Sequence, residues 1–121
     1  MDKAQALYTF WSSFDLPAYD ETAVPEGAPF PRLTYETATD SFGGEVAWTA
    51  ALWYYSTSWE DISKKSAQIA AYIGMGGKII KTNDGAIWVK RGTPFGQRMA
   101  DSNDSLRKIV LNITAEFFTQ D

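Results

Sequence analysis

The hydrophobic positions of this chain follow two different periods. Leu7, Phe10, Trp11 and Phe14 recur at the i, i+3, i+4, i+7 spacing of one helical stripe, which predicts a helix over 3–14. Asp2 is placed to cap it and Pro17 to stop it. From Arg32 to Thr39 the period becomes two, with Leu33, Tyr35 and Thr37 on one face of a strand. Asp40, Ser41, Phe42, Gly43 and Gly44 supply hairpin-loop residues. The strand predicted over 45–56 then returns antiparallel to 32–39. It is unusual because both of its faces are apolar. Val46, Trp48, Ala50, Leu52 and Tyr54 share one face, and Ala47, Thr49, Ala51, Trp53 and Tyr55 share the other. Antiparallel sheets in small domains commonly leave one face polar and wet. Here the second face calls for cover from outside the chain.

Ser58-Trp59-Glu60-Asp61 resembles a capping box, and a helix is predicted from about 59 to 73. Ile62, Ser66, Ile69 and Ile73 line one side of it, with Lys64, Lys65 and Gln68 facing away. Gly74, Gly76 and Gly77 end it. Strands are predicted over 78–82 and 86–91, joined by the tight-turn sequence Asn83-Asp84-Gly85. Gly92 to Gly96 is expected to break the sheet and open a loop through Asp104. A last strand over 106–118 alternates Ile109, Leu111, Ile113, Ala115 and Phe117 with Lys108, Asn112, Thr114 and Glu116. Residues 15–31, with four of the five prolines, read as a linker pinned by Tyr19 and Phe30. The expected fold is α+β over residues 1–121, a single domain. It has a mostly antiparallel sheet of four to five strands, two helices on one face, and the order α-β-β-α-β-β-β.

Composition narrows the function. Aromatics make up 15% of the residues, which favours broad apolar contact. There is no Cys and no His, so disulfides, thiolate metal sites and imidazole bases are excluded. Neither an enzyme nor a cofactor-binding protein is expected. Glu36 and Glu45 could meet across the hairpin, but they lack a base or electrophile to accompany them. The segment Gly74-Met75-Gly76-Gly77 reads as a helix end, since no phosphate-loop sequence follows it. No apolar run reaches the roughly 20 residues of a membrane span, and the N-terminus lacks a signal-peptide layout. A bacterial cytosol is the expected place of assembly.

Net charge is −4, unevenly spread. Residues 1–45 hold eight acids against two bases, and residues 78–108 hold seven bases against three acids. Opposite flanks of this kind suit head-to-tail contact between identical subunits. The basic region also carries Trp88 and Phe95, which keeps a small nucleic-acid-binding module open, although the pI of about 4.7 opposes it. Arg and aromatic residues are enriched at the centres of protein contacts. On that ground the candidate interface residues are Trp53, Tyr55, Trp88, Lys90, Arg91, Phe95 and Arg98.

Several blocks of the chain resemble small structural proteins of long-tailed phages and prophages of Gram-positive bacteria. They are Phe10 to Phe14 with Leu16 to Asp20, Thr34 to Glu36, Asp40 to Val46, Leu52 to Tyr54 and Ser56 to Trp59. Asp84 to Trp88, Arg91 to Phe95 and Arg98-Met99 complete the set. Together they are similar to the tail terminator, or tail completion, family. The resemblance implies a small α+β domain that forms a homo-hexameric ring on the head-proximal end of the tail tube. It implies contacts with the tube protein and the head–tail connector, with genome DNA passing through the lumen unbound. It carries no catalytic or metal-binding residue. A head-completion or head–tail adaptor protein is the alternative within the same setting.

Overall fold

The computed structural model describes residues 1–39 and 43–119. Its elements run α1 (Lys3–Ser12), β1 (Ala18–Asp20), β2 (Arg32–Tyr35), β3 (Gly44–Tyr55), α2 (Glu60–Ile73), β4 (Lys78–Thr82), β5 (Gly85–Met99) and β6 (Leu106–Phe118). The strands form one sheet in the order β1-β2-β3-β6-β5-β4. All neighbours pair antiparallel except β1 with β2, which are parallel.

The α+β expectation is met, with corrections. The sheet has six strands rather than four or five, and it is mixed. The extra strand, β1, lies in the segment read as a linker; its Ala18 pairs with Leu33 and is buried. The first hairpin strand ends at Tyr35, short of the expected 39. Most of the loop 40–44 lies outside the described residues.

Strand β5 is the larger surprise. Gly92 to Phe95 does not end the sheet. Arg91 pairs with Ile113 and Gly96 with Leu111, so four residues bulge opposite the single Asn112. The strand then continues to Met99. Asn112 Nδ2 donates to the Pro94 carbonyl and to Gln97 Oε1, which ties the bulge down. A Cβ on Gly92 would sit 2.9 Å from the Asn112 carbonyl oxygen, so the bulge needs glycine there.

Both helices cover the same face. The alternation of β6 puts Ile109, Leu111, Ile113, Ala115 and Phe117 into a core shared with Trp48, Ala50 and Leu52 of β3. Helix α2 adds Ile62, Ile69 and Ile73, and α1 adds Leu7, Phe10 and Trp11. Helix α1 touches both β1 and β4, the two ends of the curled sheet. Its aromatic stripe packs Trp11 on Tyr35 of β2 at 6.2 Å, and Phe14, just past the helix, stands edge-on to Tyr72 of α2 at 5.3 Å.

The helix ends differ from one another. Asp2 and Gln5 form a reciprocal capping box on α1. The box expected at Ser58 does not form. Trp59 is the N-cap of α2 and makes no side-chain cap bond, while Ser58 Oγ accepts from the Glu60 amide. Lys65, expected to face away, reaches back to donate to the Phe14 carbonyl at 2.8 Å. Gly77 turns the chain from α2 into β4 at φ +81°, where a Cβ would come within 2.5 Å of Trp88 Nε1.

Candidate functional site

Neither helix packs over the other face of the sheet, but the β5 bulge leans on it through Asn112 and Pro94, and the Phe30 ring lies against Arg32 and Tyr55. Register pairing puts Trp53 opposite Lys108 and Ala51 opposite Val110 on this open face. Thr49 faces Asn112 and Ala47 faces Thr114 beside them. Trp88 and Lys90 of β5 join the face opposite Glu116 and Thr114. Tyr55 is 65% exposed at its end. Trp53 is half-buried; its Nε1 donates to Thr34 Oγ1 at 3.0 Å, which fixes the ring flat against β2. The expectation of a second apolar face on β3 without cover from its own chain is met only in part: Tyr55 is exposed, but Trp53 is half-buried and Ala51 is buried.

The seven candidate residues fall in three places. Trp53, Tyr55, Trp88 and Lys90 share the open face. Arg91 and Phe95 line a groove of about 440 Å³ together with Met75, Gly76, Gly92, Thr93 and the same Trp88 and Lys90. This groove opens because β4 pairs with β5 only as far as Val89, which leaves the β5 edge bare beyond it. Phe95 is partly buried against the core rather than free for contact. Arg98 projects on the helix side, 4.8 Å from the Trp59 ring centre, and Arg107 approaches the same ring at 5.3 Å.

Charged groups not singled out from the sequence complete the open face. Arg32 pairs in register with Trp53, so Arg32, Trp53 and Lys108 form one row across three strands. Lys108 Nζ stands 4.5 Å from the Trp53 ring centre, and the Arg32 guanidinium 4.2 Å from that of Phe30. At the opposite end Glu45 faces Glu116 directly, and Lys90 Nζ reaches Glu45 at 3.2 Å. Glu36 and Glu45 do not meet, contrary to expectation. The Glu36 carboxylate accepts instead from the amide and hydroxyl of Thr49. The polar alternation along β6 is the one sequence signal for this charged face, and strand pairing is needed to group it.

Beyond the open face, one carboxylate is strongly held. Asp20 accepts from the Thr37 hydroxyl at 2.5 Å and from the Thr22 amide and hydroxyl, which holds its pKa below the ordinary range. It organises the loop after β1. Among the described residues, no three carboxylates gather where they could hold a metal ion, and no helix is long and apolar enough to cross a membrane.

No family model and no curated protein matches the sequence. A solved structure does match the fold, a chain from the virion of a native gene transfer agent particle. The superposition has a TM-score of 0.54 at 15% sequence identity and covers 90% of this chain and 81% of that one. At that identity the likeness is one of fold.

Proposed function

We propose that this chain is a structural protein of a phage-like virion and that within it the chain acts as the tail terminator. In this reading six copies form a ring on the head-proximal end of the tail tube. The ring stops tube growth and offers a surface to the head connector, while genome DNA passes through without specific binding. The protein has no enzymatic task, and assembly takes place in the cytoplasm of the bacterial host.

The observation that carries the proposal is the fold shared with a virion chain over 90% of this one. The sequence resemblance to tail terminators adds the specific place. The charge layout supports a ring. The β1 side carries Asp20, Glu21 and Glu26, while β4 at the other end of the sheet carries Lys78 and Lys81. Two unlike flanks are what head-to-tail contacts around a closed rotation require.

Deletion of the gene from an inducible phage or prophage, followed by electron microscopy of the lysate, tests the role. Overlong tails without heads are expected. Tails of normal length beside filled or leaking heads would transfer the protein to the head side of the junction. Normal virions would remove it from the junction altogether.

A further inference from the structure

Exposed apolar side chains gather beside β4, at one end of the sheet. Met1, Tyr8, Tyr72 and Ile79 each stand about half exposed. They rim a cleft between α1 and β4, formed by two adjoining hollows of about 250 and 450 Å³ that share Met1 and Thr9. Phe10 and Ala6 of α1 and Ile80 of β4 line it from within. Lys78 and Lys81 stand on its β4 side. Lys78 rests over the Tyr72 ring at 4.3 Å, and the exposed Lys81 has no carboxylate within pairing distance among the described residues. The acids beside the β4–β5 turn are engaged elsewhere, Asp2 in capping α1 and Asp84 in accepting from the Thr82 hydroxyl. Outside the β4–β5 ladder, no backbone hydrogen bond reaches Ile79 to Lys81 among the described residues, so the outer edge of β4 is unpaired.

The segment after β1 carries a matching feature. The Ala28 amide donates to the Pro25 carbonyl at 3.1 Å and Gly27 takes φ +76°, which makes Pro25 to Ala28 a tight turn with Glu26 and Gly27 at its tip. Arg32 Nη1 donates to the Ala28 carbonyl at 2.9 Å and secures the turn at its base. Pro25, Glu26, Gly27 and Pro29 are exposed. Neither Glu21 nor Glu26 has an ammonium or guanidinium within pairing distance among the described residues.

We propose that the cleft between α1 and β4 receives the Pro25–Ala28 turn of a second copy of this chain. Proline-rich segments enter aromatic grooves at low entropic cost because their backbone is already restricted. Tyr8, Phe10 and Tyr72 supply the rings here. Glu26 of the incoming copy meets Lys81 and Lys78 on the rim, and the exposed apolar side chains are covered in the same step. Turn and cleft are different surfaces, so the contact is heterologous and passes from copy to copy. It supplies the contact for the ring of the proposed function and rests on that reading for closure at six. One turn in one cleft is small beside the roughly 800 Å² per partner of a standard interface, so a single contact is weak and ring closure reinforces it.

Cross-linking on the full chain tests the contact. The chain has no cysteine, so introduced ones react alone. Thr9→Cys marks the cleft and Pro25→Cys the turn, both at exposed positions. The two variants are mixed at high micromolar concentration with a short bismaleimide. A heterodimer is expected, at least tenfold more abundant than the homodimer of either variant alone. Glu26→Lys in the Pro25→Cys chain, or Lys81→Glu in the Thr9→Cys chain, should lower the yield at least tenfold, and both reversals together should restore it. Glu26→Gln and Lys81→Gln carry the test if circular dichroism shows that a reversal unfolds the chain. Heterodimer yields no higher than those of the homodimers, or reversals without effect, would overturn the proposal. A chain carrying both cysteines should give a covalent ladder that stops at six copies. A ladder that runs past six would keep this contact and overturn the ring, and gene deletion reads the virion role, so the ideas fail separately.

Discussion

Leu111 and Tyr55 represent the two environments of this sheet. Leu111 is wholly buried under α2, and truncation there leaves a cavity; Leu111→Ala should cost about 2–5 kcal/mol in denaturant unfolding. Tyr55 is mostly exposed and touches only the partly exposed Phe30 ring at 6.0 Å, so Tyr55→Ala should stay within about 0.5 kcal/mol. Arg98→Ala removes only an exposed contact with Trp59, worth about 0.5–1 kcal/mol. It and Trp53→Ala should weaken assembly more than folding, as judged by particle yield against melting temperature. A loss of stability from either variant equal to that of Ile113→Ala would contradict this. Asp20 gives a pH test. Its carboxyl is held below its ordinary value of 3.8 by the Thr37 and Thr22 bonds, so the folded state favours the ionised form. That stabilisation is complete well above pH 3.8 and fades as the pH falls through the lower folded value. Asp20→Asn should therefore destabilise at pH 6 and differ less from wild type as the pH falls below 3.8, measured by urea unfolding across the range.

At the scale of elements, the capping box of α1 is the clearest local signal. Asp2→Ala should cost about 0.5–2 kcal/mol, read by the same unfolding assay. Elements with strong periodicity are legible in the sequence alone. The alternation of β6 lies where the pattern puts it, while α1 ends at Ser12 rather than 14 and the turn after β4 gives Gly85 to β5. Two elements are not legible. Strand β1 is three residues long and parallel, and it exists because Ala18 docks beside Leu33, a partner no local pattern announces. The second half of β5 follows a glycine and a proline that ordinarily end strands; the side chain of Asn112, on a different strand, holds the chain across that gap. The candidate site is half legible for the same reason. Alternation alone assigns Trp53 and Tyr55 to one face. Arg32, Lys108 and Glu116 join them only through strand pairing.

For the whole molecule, stability should be graded outward from the middle of the sheet. β3 and β6 pair over twelve positions and lie under α2, so their amides should exchange slowest with deuterated solvent. The short edge strand β1 and the proline-rich segment after it should exchange fastest, residue by residue in nuclear magnetic resonance. The bulge at Gly92 to Phe95 has a further consequence for how such a chain can diverge. Because side chains alternate, the number of residues in that detour sets the phase of everything after it. As it stands, Gln97 and Met99 point outward while Gly96 and Arg98 point toward α2. Loss or gain of one codon there would exchange the two sets and push a side chain into the space Gly96 leaves beside Ser66. Descendants of this gene should therefore tolerate substitutions across 92–95 more readily than insertions or deletions of odd length.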